Sequence, residues 1–296
     1  MRCSRRRQNP EIKRQFALSA TRRAPTALPP KLTRRHSSCI ALPPTAPMAS
    51  SLSRFELPCG RVLRLRQFFF DRGPVPQPQG SRLHADGTGL KVWPTSMPLL
   101  FHLQRLISER FTSERPLRIL ELGSGCGLLG LGLAATCSPC DIVLTDPAVA
   151  VNFEEDGASG STIDWLRENV ELNRDVVGQS RVRVEPLRWG DAQMTNALMD
   201  SCDRFDLVVG SDLMYEPDRY PALLSSLHTF ATSDGDGNLP AAVLGYPTRH
   251  GGEQRFLKQV EEGGLLQVGS TIDLGTGQGG AGRFSATHLR AVRCEG

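Results

Sequence analysis

The sequence predicts an α/β fold in which a mainly parallel β-sheet is covered by helices on both faces. Three short apolar runs, which end at or near Glu121, Asp146 and Asp212, have the length and composition of buried strands. Segments with a helix-forming apolar face, such as residues 128–135, lie between them. Because the carboxyl ends of parallel strands meet at one edge of a sheet, we expect these three acids to cluster where a ligand binds.

The first run leads into a glycine-rich turn. Residues 117–130 read Leu-Arg-Ile-Leu-Glu-Leu-Gly-Ser-Gly-Cys-Gly-Leu-Leu-Gly, which indicates a strand, alternating glycines and then the start of a helix. Glycine accepts positive φ and lets a ligand approach the backbone. The first turn of a helix offers unpaired N–H donors. Strand, turn and helix start together predict a nucleotide-type binding corner.

Two interpretations of this turn compete. Gly125, Gly127 and Gly130 match the G-x-G-x-x-G dinucleotide pattern, which favours an NAD-dependent oxidoreductase. Counted from the end of the strand, however, the turn begins at Gly123. The preceding Glu121 disfavours a pyrophosphate at the helix N-terminus. The run Glu-Leu-Gly-Ser-Gly-Cys-Gly resembles motif I of the class I S-adenosylmethionine-dependent methyltransferases, whose cofactor carries an ammonium and a sulfonium.

The second apolar run ends in an acid at the spacing of one βαβ step. Asp146 closes the segment Asp-Ile-Val-Leu-Thr-Asp and follows Glu121 by 25 residues. A carboxylate at this strand end accepts hydrogen bonds from the ribose hydroxyls of an adenosine. The alternative is that Asp146 only caps the turn at Pro147. After the glycine turn, ribose binding is the favoured role.

Further motifs narrow the resemblance to one subgroup. Trp93-Pro94, Trp189-Gly190 and the D-x-x-Y of Asp212 and Tyr215 follow one another in the order seen in the seven-strand protein-lysine methyltransferases, methyltransferase family 16. The resemblance covers roughly residues 55–293. It implies a Rossmann-like, seven-strand, mainly parallel sheet. It also implies an S-adenosyl-L-methionine site formed by Trp93, Glu121, Gly123, Gly125, Asp146, Trp189 and Ser211.

The resemblance also implies individual roles. Trp93 would lie beside the methionine end of the cofactor, Glu121 and the glycine turn beside its amino-acid portion, and Trp189 near the adenine. Asp212 and Tyr215 would be the catalytic residues, beside the transferring methyl and the entering amine. The alternatives are structural: both tryptophans would be core residues, as Trp165 is expected to be, and Tyr215 would only precede a helix.

Methyl transfer from a sulfonium is an in-line displacement, so positioning of the nucleophile is its main demand. A lysine nucleophile must be neutral, although its ordinary pKa is about 10.4. Aromatic surroundings lower that pKa, whereas a neighbouring carboxylate such as Asp212 raises it. Asp212 is therefore assigned to gripping and orienting the amine, and its role as a base stays open. Tyr215 offers a hydroxyl or a cation–π face.

Charge divides the chain into two parts. Residues 1–50 hold 11 Lys and Arg and one acid, whereas the remainder holds 24 Lys and Arg against 30 acids. The basic part predicts a disordered extension. Three interpretations of this segment are open. It is an organelle transit peptide, a basic binding arm, or an artefactual segment upstream of a true start at Met48. Residues 51–296 are expected to form one methyltransferase domain with an N-terminal β-hairpin, turning at 58–60.

Local patterns predict the other elements. Leucines at helical spacing predict a helix after Trp93, with Thr95 or Ser96 as its cap. Residues 153–162 form an acidic insertion, expected on the surface. Further strands are expected at 241–246, 266–274 and 287–294, and further helices near 223–230 and 256–260.

The composition of the chain limits the kinds of partner that it is expected to bind. The acidic body argues against binding of nucleic acid by the folded domain, and no apolar run approaches the ~20 residues of a membrane span. The lone Cys137-x-x-Cys140 has no second pair at zinc spacing, so no metal is expected. The expected protein is a cytoplasmic monomer, or a plastid or mitochondrial one if the extension is a transit peptide.

The favoured function is transfer of a methyl group to a lysine of a protein substrate. The alternatives are a methyltransferase of the same fold that acts on a small molecule or another side chain, and a non-catalytic adaptor that retains the fold. The sequence does not identify the substrate protein or the number of methyl groups added.

Overall fold

A seven-stranded sheet lies at the centre of the protein in the computed structural model, with helices on its two faces. The structure describes residues 49–69, 88–137, 139–152, 159–232, 239–248, 251–276 and 282–292. The strands are β1 (Ala49–Glu56), β2 (Val62–Phe69), β3 (Leu117–Leu122), β4 (Cys140–Asp146), β5 (Ala150–Asn152), β6 (Ser159–Ser161), β7 (Arg181–Pro186), β8 (Leu207–Ser211), β9 (Ala242–Pro247), β10 (Leu266–Thr276) and β11 (Arg283–Ala291). The helices are α1 (Ser96–Arg110), α2 (Leu128–Thr136), α3 (Thr162–Glu171), α4 (Arg174–Val177), α5 (Ala192–Ser201), α6 (Tyr220–Phe230) and α7 (Gly252–Glu262). Short 3-10 turns lie at Thr88–Leu90 and Pro217–Arg219.

The central sheet has the strand order β10-β11-β9-β8-β3-β4-β7. The five strands from β9 to β7 are parallel to their neighbours, and β11 and β10 join antiparallel at one edge. This arrangement confirms the predicted α/β class and the mainly parallel sheet. The chain leaves β3, β4, β8 and β9 at the same edge, so the residues that follow these strands are brought together.

Burial on both faces explains why the middle strands are almost wholly apolar. In β3 and β8, Leu120, Leu122 and Val208 pack with residues of α6 and α7, while the adjacent Ile119 and Val209 pack with α1 and α2 on the other face. All five side chains are fully buried. Continuous apolar runs are typical of parallel strands covered by helices on both sides.

Strands β1 and β2 form the predicted antiparallel hairpin, which packs against α3. Asn173 accepts a hydrogen bond from the Arg64 N–H and donates one to the Arg64 carbonyl, both at 2.8 Å. Asn169 binds the N–H and carbonyl of Arg66 in the same way, at 2.8 and 3.1 Å. Both amide side chains are 0% exposed. They cover the edge of β2 that β1 leaves unpaired.

Asn173→Ala is expected to lower the free energy of unfolding by about 2–4 kcal/mol. The change removes the partners of two shielded backbone groups of Arg64, each worth about 1–3 kcal/mol when it is left unsatisfied. Urea unfolding measures the loss, and hydrogen exchange at the Arg64 amide localises it. Asn196→Ala, at an exposed position of α5, is the control; equal stability of the two variants would contradict the proposed docking.

Several sequence predictions change in detail. Thr95 is the N-cap of α1, but its side chain makes no capping hydrogen bond, because its hydroxyl is used at the candidate site described below. The acidic insertion connects β5 to β6, which pair antiparallel, and residues 153–158 lie outside the described residues. The last strand begins at Arg283, four residues before the predicted start, because Phe284 and Ala286 pair with β9.

One polar pair in the core was not predicted. His102 of α1 and His288 of β11 are buried, and their Nε2 atoms lie 2.8 Å apart. Burial lowers the pKa of both imidazoles, that of His288 to about 4. The two residues are 186 positions apart in sequence, so no local pattern connects them.

Candidate active site

The glycine turn after β3 has the predicted left-handed backbone. Gly123, Gly125 and Gly127 have φ values of 63°, 52° and 86°, which favour glycine over any residue with a Cβ. Ser124 ties the turn to β4 through two hydrogen bonds with the backbone of Thr145, at 2.8 and 3.1 Å. The turn is therefore held against the end of the neighbouring strand, and α2 begins directly after it.

Glu121 lies beneath this turn. Its side chain is 2% exposed, and its carboxylate accepts a hydrogen bond of 3.1 Å from the N–H of Gly130 in α2. A Cβ on Gly130 would come within 2.5 Å of that carboxylate. Burial raises the pKa of Glu121 to about 8. The structure thus gives Glu121 a supporting contact with α2, and its predicted contact with a cofactor stays a prediction.

Asp146 lies at the end of β4, directly beside the turn. It accepts a hydrogen bond of 2.9 Å from the N–H of Gly125, and its other carboxylate oxygen is 3.3 Å from the position that a Cβ on Gly89 would take. Burial raises its pKa to about 6, while the Gly125 hydrogen bond opposes that shift. The Asp146 carboxylate thus faces the glycine turn. These contacts do not support the alternative role, in which Asp146 caps the Pro147 turn.

Trp189 lies on the other side of the turn. A Cβ on Gly123 would be 3.2 Å from its ring and 2.7 Å from Leu213. Its indole N–H is shielded from solvent and has no hydrogen-bond partner among the described residues. Buried donors are rarely left unpaired, and a ligand with an acceptor would satisfy this one.

Asp212 follows β8 and is held from two sides. One carboxylate oxygen accepts a 2.8 Å hydrogen bond from Thr95, and the other accepts a 2.9 Å hydrogen bond from the hydroxyl of Ser211. Ser96 in turn donates to Ser211 at 3.2 Å. Asp212 has φ 60°, and it is the one non-glycine residue with positive φ in the described part of the chain. Such backbone conformations cluster at functional sites.

A cavity of about 390 Å³ opens beside Asp212. Its wall includes four aromatic residues and two acids, namely Trp93, Tyr215, Tyr220, Tyr246, Asp212 and Glu253. Tyr215 is 45% exposed, so its ring stands at the mouth of the cavity. The indole N–H of Trp93 donates to the Thr88 carbonyl at 3.0 Å, which fixes the orientation of its ring.

The nine predicted site residues therefore fall into two adjoining groups. Trp93, Asp212 and Tyr215 line one cavity, and Ser211 contacts Asp212. The other group surrounds the glycine turn and consists of Glu121, Gly123, Gly125, Asp146 and Trp189. Sequence reasoning missed Thr95 and Ser96 as partners of this site, although they directly follow the Trp93-Pro94 motif.

A comparison with sequence profiles of protein families identifies the family of this chain. The sequence profile described as "Lysine methyltransferase" matches residues 81–263, more than half of the chain. The chain belongs to the lysine methyltransferase family. The match confirms the resemblance drawn from the glycine turn and the tryptophan and D-x-x-Y motifs, and S-adenosylmethionine is the cofactor of this family.

Two curated relatives illustrate the membership. This lysine methyltransferase family member is 26% identical over 189 residues to a calmodulin-lysine N-methyltransferase of Arabidopsis thaliana, covering 64% of this chain and 55% of that protein. It is 28% identical over 145 residues to protein N-lysine methyltransferase METTL21A of Danio rerio, covering 49% and 56%. The chain thus spans little more than half the length of these relatives.

Among solved structures, the N-terminal domain of human METTL16 in complex with SAH aligns with a TM-score of 0.46 at 12% identity, covering 69% of this chain and 72% of that one.

The site of this lysine methyltransferase family member fits its cofactor chemically. Asp146 offers a carboxylate to a ribose diol, and the unpaired N–H of Trp189 offers a donor to an adenine or carboxylate acceptor. Two buried carboxyls, Glu121 and Asp146, suit a ligand with positive groups more than an anionic pyrophosphate. The missing Cβ atoms of Gly123 and Gly125 leave the backbone open to close approach.

Glu121→Gln is expected to remove a pH dependence of stability. Glu121 has a pKa near 8 when folded and near 4.5 as its ordinary value, so between these values the folded state holds a proton that the unfolded state lacks. The free energy of unfolding therefore falls as pH rises through this range, by up to about 1.4 kcal/mol per pH unit. Glutamine keeps an acceptor for Gly130 and does not titrate.

Urea unfolding from about pH 7 to about pH 8 measures this slope, and the difference in slope between wild type and Glu121→Gln isolates Glu121, because Asp146 and the buried histidines, whose ordinary pKa is 6.5, contribute equally to both proteins. Glu114→Gln, at an exposed position, is the control and should keep the wild-type slope. A slope that persists in Glu121→Gln would assign the effect to another group.

Within the described ranges, no cluster of three His, Cys, Asp or Glu side chains is arranged to hold a metal ion. Burial raises the pKa of Cys126, inside the glycine turn, to about 12, which makes it a poor nucleophile. No helix in the same residues has the length and apolarity needed to cross a membrane.

Proposed function

We propose that this protein transfers a methyl group from S-adenosylmethionine to a lysine side chain of a protein substrate. The observation that carries the proposal is the placement of Asp212. Its carboxylate is fixed by Thr95 and Ser211 at the wall of an aromatic cavity, next to the strand that bears the glycine turn. The names of the relatives, which act on lysines of proteins, support the substrate class.

The cofactor supplies an electrophilic methyl group on its sulfonium, and the chain supplies the positioning. Asp146 and the backbone of the glycine turn bind the nucleoside and amino-acid portions, with Trp189 against the turn. Asp212 orients the incoming amine, because its two fixed oxygens define one direction of approach. The rings of Trp93 and Tyr215 line the cavity that the amine enters, and Tyr215 offers a cation–π face to its charged form before the proton is lost.

The lysine must lose its proton before it attacks. Aromatic shielding lowers the amine pKa and the Asp212 carboxylate raises it, so the two effects oppose each other. Asp212 is accordingly assigned to orientation, and a base role is not required if the proton leaves to solvent through the open mouth beside Tyr215.

Calorimetric titration of the full chain with S-adenosylhomocysteine, with NAD as the control ligand, tests cofactor choice. Micromolar-range binding of S-adenosylhomocysteine and no binding of NAD are expected. The second step is transfer of a labelled methyl group to proteins of a cell lysate, followed by hydrolysis and detection of methyl-lysine.

Each outcome separates the candidate functions. Methyl-lysine formed by wild type and lost in Asp212→Asn supports the proposal. Cofactor binding with label only in small molecules, or in another amino acid, supports the same-fold alternative. A folded protein that binds no S-adenosylhomocysteine would contradict the methyltransferase assignment and favour the alternative of a non-catalytic adaptor.

A further inference from the structure

A second carboxylate, Glu253, faces the cavity beside Asp212. It lies in the first turn of α7, it is 8% exposed, and it contributes to the cavity wall. Among the described residues, its carboxylate accepts no hydrogen bond and forms no ion pair. Its carboxylate oxygens keep contact with the solvent of the cavity, where they are open to a ligand. A carboxylate without a protein partner in such a cavity is available to bind a cationic group.

Glu253 differs in this respect from Asp212. The oxygens of Asp212 each accept a hydrogen bond, from Thr95 and from Ser211, so this carboxylate is already oriented. Both oxygens of Glu253 are available. The cavity thus contains one carboxylate fixed by the protein and one that has no protein partner and is open to a ligand.

The topology separates the two carboxylates along the edge of the sheet. Asp212 follows β8, the strand next to the one that carries the glycine turn, whereas Glu253 follows β9, one strand further away. Both carboxylates nevertheless line the same cavity. Glu253 is therefore placed to contact a part of the substrate next to the amine that Asp212 orients.

The surroundings of Glu253 favour a cation. Tyr220 and Tyr246 line the cavity with it, and no lysine or arginine is among the described residues of the cavity wall. The hydroxyl of Tyr220 lies 3.1 Å from the carbonyls of both Met214 and Gly252, which fixes the start of α7 against the segment after β8. Aromatic faces and a carboxylate without a protein partner together attract guanidinium or ammonium groups.

We infer that Glu253 is a specificity-determining residue that binds a second cationic side chain, an arginine or lysine adjacent to the target lysine of the substrate. The inference rests on the proposed function, because it takes the amine at Asp212 to be that of the target lysine. It adds a sequence preference: the substrate presents a lysine within a basic segment.

Two blocked tripeptides test this inference on the full chain saturated with S-adenosylhomocysteine. Acetyl-Arg-Lys-Arg-amide carries flanking cations and acetyl-Ala-Lys-Ala-amide does not. We expect the first to bind about tenfold more tightly, which corresponds to about 1.4 kcal/mol. In Glu253→Gln this ratio should fall to about twofold or less, with unchanged affinity for S-adenosylhomocysteine and for the alanine peptide.

The control is Glu261→Gln, which removes an exposed charge from the same helix and should leave the ratio at its wild-type value. Stability provides a second measurement. Because no described residue pairs with the Glu253 carboxylate, the unfolding temperature of Glu253→Gln should stay close to that of wild type, whereas a structural role predicts a decrease.

Three results would overturn the inference: equal binding of the two peptides by wild type, an unchanged ratio in Glu253→Gln, or no binding of either peptide at millimolar concentration. Failure of the proposed function is recognised separately, because it would show as absent binding of S-adenosylhomocysteine or as absence of methyl-lysine among the labelled lysate proteins. Peptide discrimination and cofactor binding are thus independent measurements.

Discussion

Replacing Asp212 by asparagine is expected to lower methyl transfer about a hundredfold or more and to leave the affinity for S-adenosylhomocysteine nearly unchanged. Asparagine is close to isosteric and keeps one acceptor for Thr95 or Ser211, so the fold is retained. It lacks the negative charge that holds the amine, and misplacement of a nucleophile by about 1 Å costs on the order of a hundredfold in rate.

Labelled methyl transfer to the acceptor proteins of a lysate measures this effect, and calorimetry measures the cofactor affinity in parallel. Asp218→Asn is the matched control, since Asp218 is exposed in the 3-10 turn that follows the site. Full transfer by Asp212→Asn would remove any essential role for this carboxylate and leave Tyr215 as the predicted catalytic residue.

Asp146→Ala is expected to weaken S-adenosylhomocysteine binding by about a hundredfold or more. The carboxylate would accept two hydrogen bonds from a ribose, and hydrogen bonds to a charged group contribute about 1.5–3 kcal/mol each. The substitution also leaves the N–H of Gly125 without its partner, which loosens the glycine turn. Asp146→Asn keeps an acceptor for Gly125 and should therefore lose less affinity than alanine.

Calorimetric titration measures the dissociation constants of S-adenosylhomocysteine for wild type, Asp146→Ala and Asp146→Asn. Asp141→Ala changes an acid at the opposite end of the same strand, away from the turn, and should bind as wild type does. Equal affinity of Asp146→Ala and Asp141→Ala would show that the ribose is held elsewhere and that Asp146 only supports the turn.

The parallel core and the glycine turn were predictable because their causes are local. Strands such as β3 and β4 are apolar on both faces, and alternating glycines directly after such a strand are typical of a turn that a ligand approaches closely. The order of motifs from Trp93 to Tyr215 indicated the family, which the profile match confirms. Strand ends were less predictable, as β11 shows, because its start depends on pairing with β9.

Contacts across the sequence were not predictable. Thr95 has the sequence position of a helix cap, and its hydroxyl instead binds Asp212, 117 residues away. Glu253 has no local motif, and its significance arises only from its burial in a shared cavity. The buried His102 and His288 pair likewise joins two elements that sequence spacing does not relate.

The N-terminal hairpin sets a lower limit on any shortened form of this protein. Gln67 of β2 accepts a hydrogen bond of 3.1 Å from the N–H of Val92, the residue before Trp93, and Asn169 joins Arg66 of the same strand to the carbonyl of Cys126. Both groups of candidate site residues are therefore supported by contacts with strand β2. Removal of residues 1–48 leaves these contacts in place, whereas a truncation that enters Ala49–Phe69 would remove support from both groups of candidate site residues.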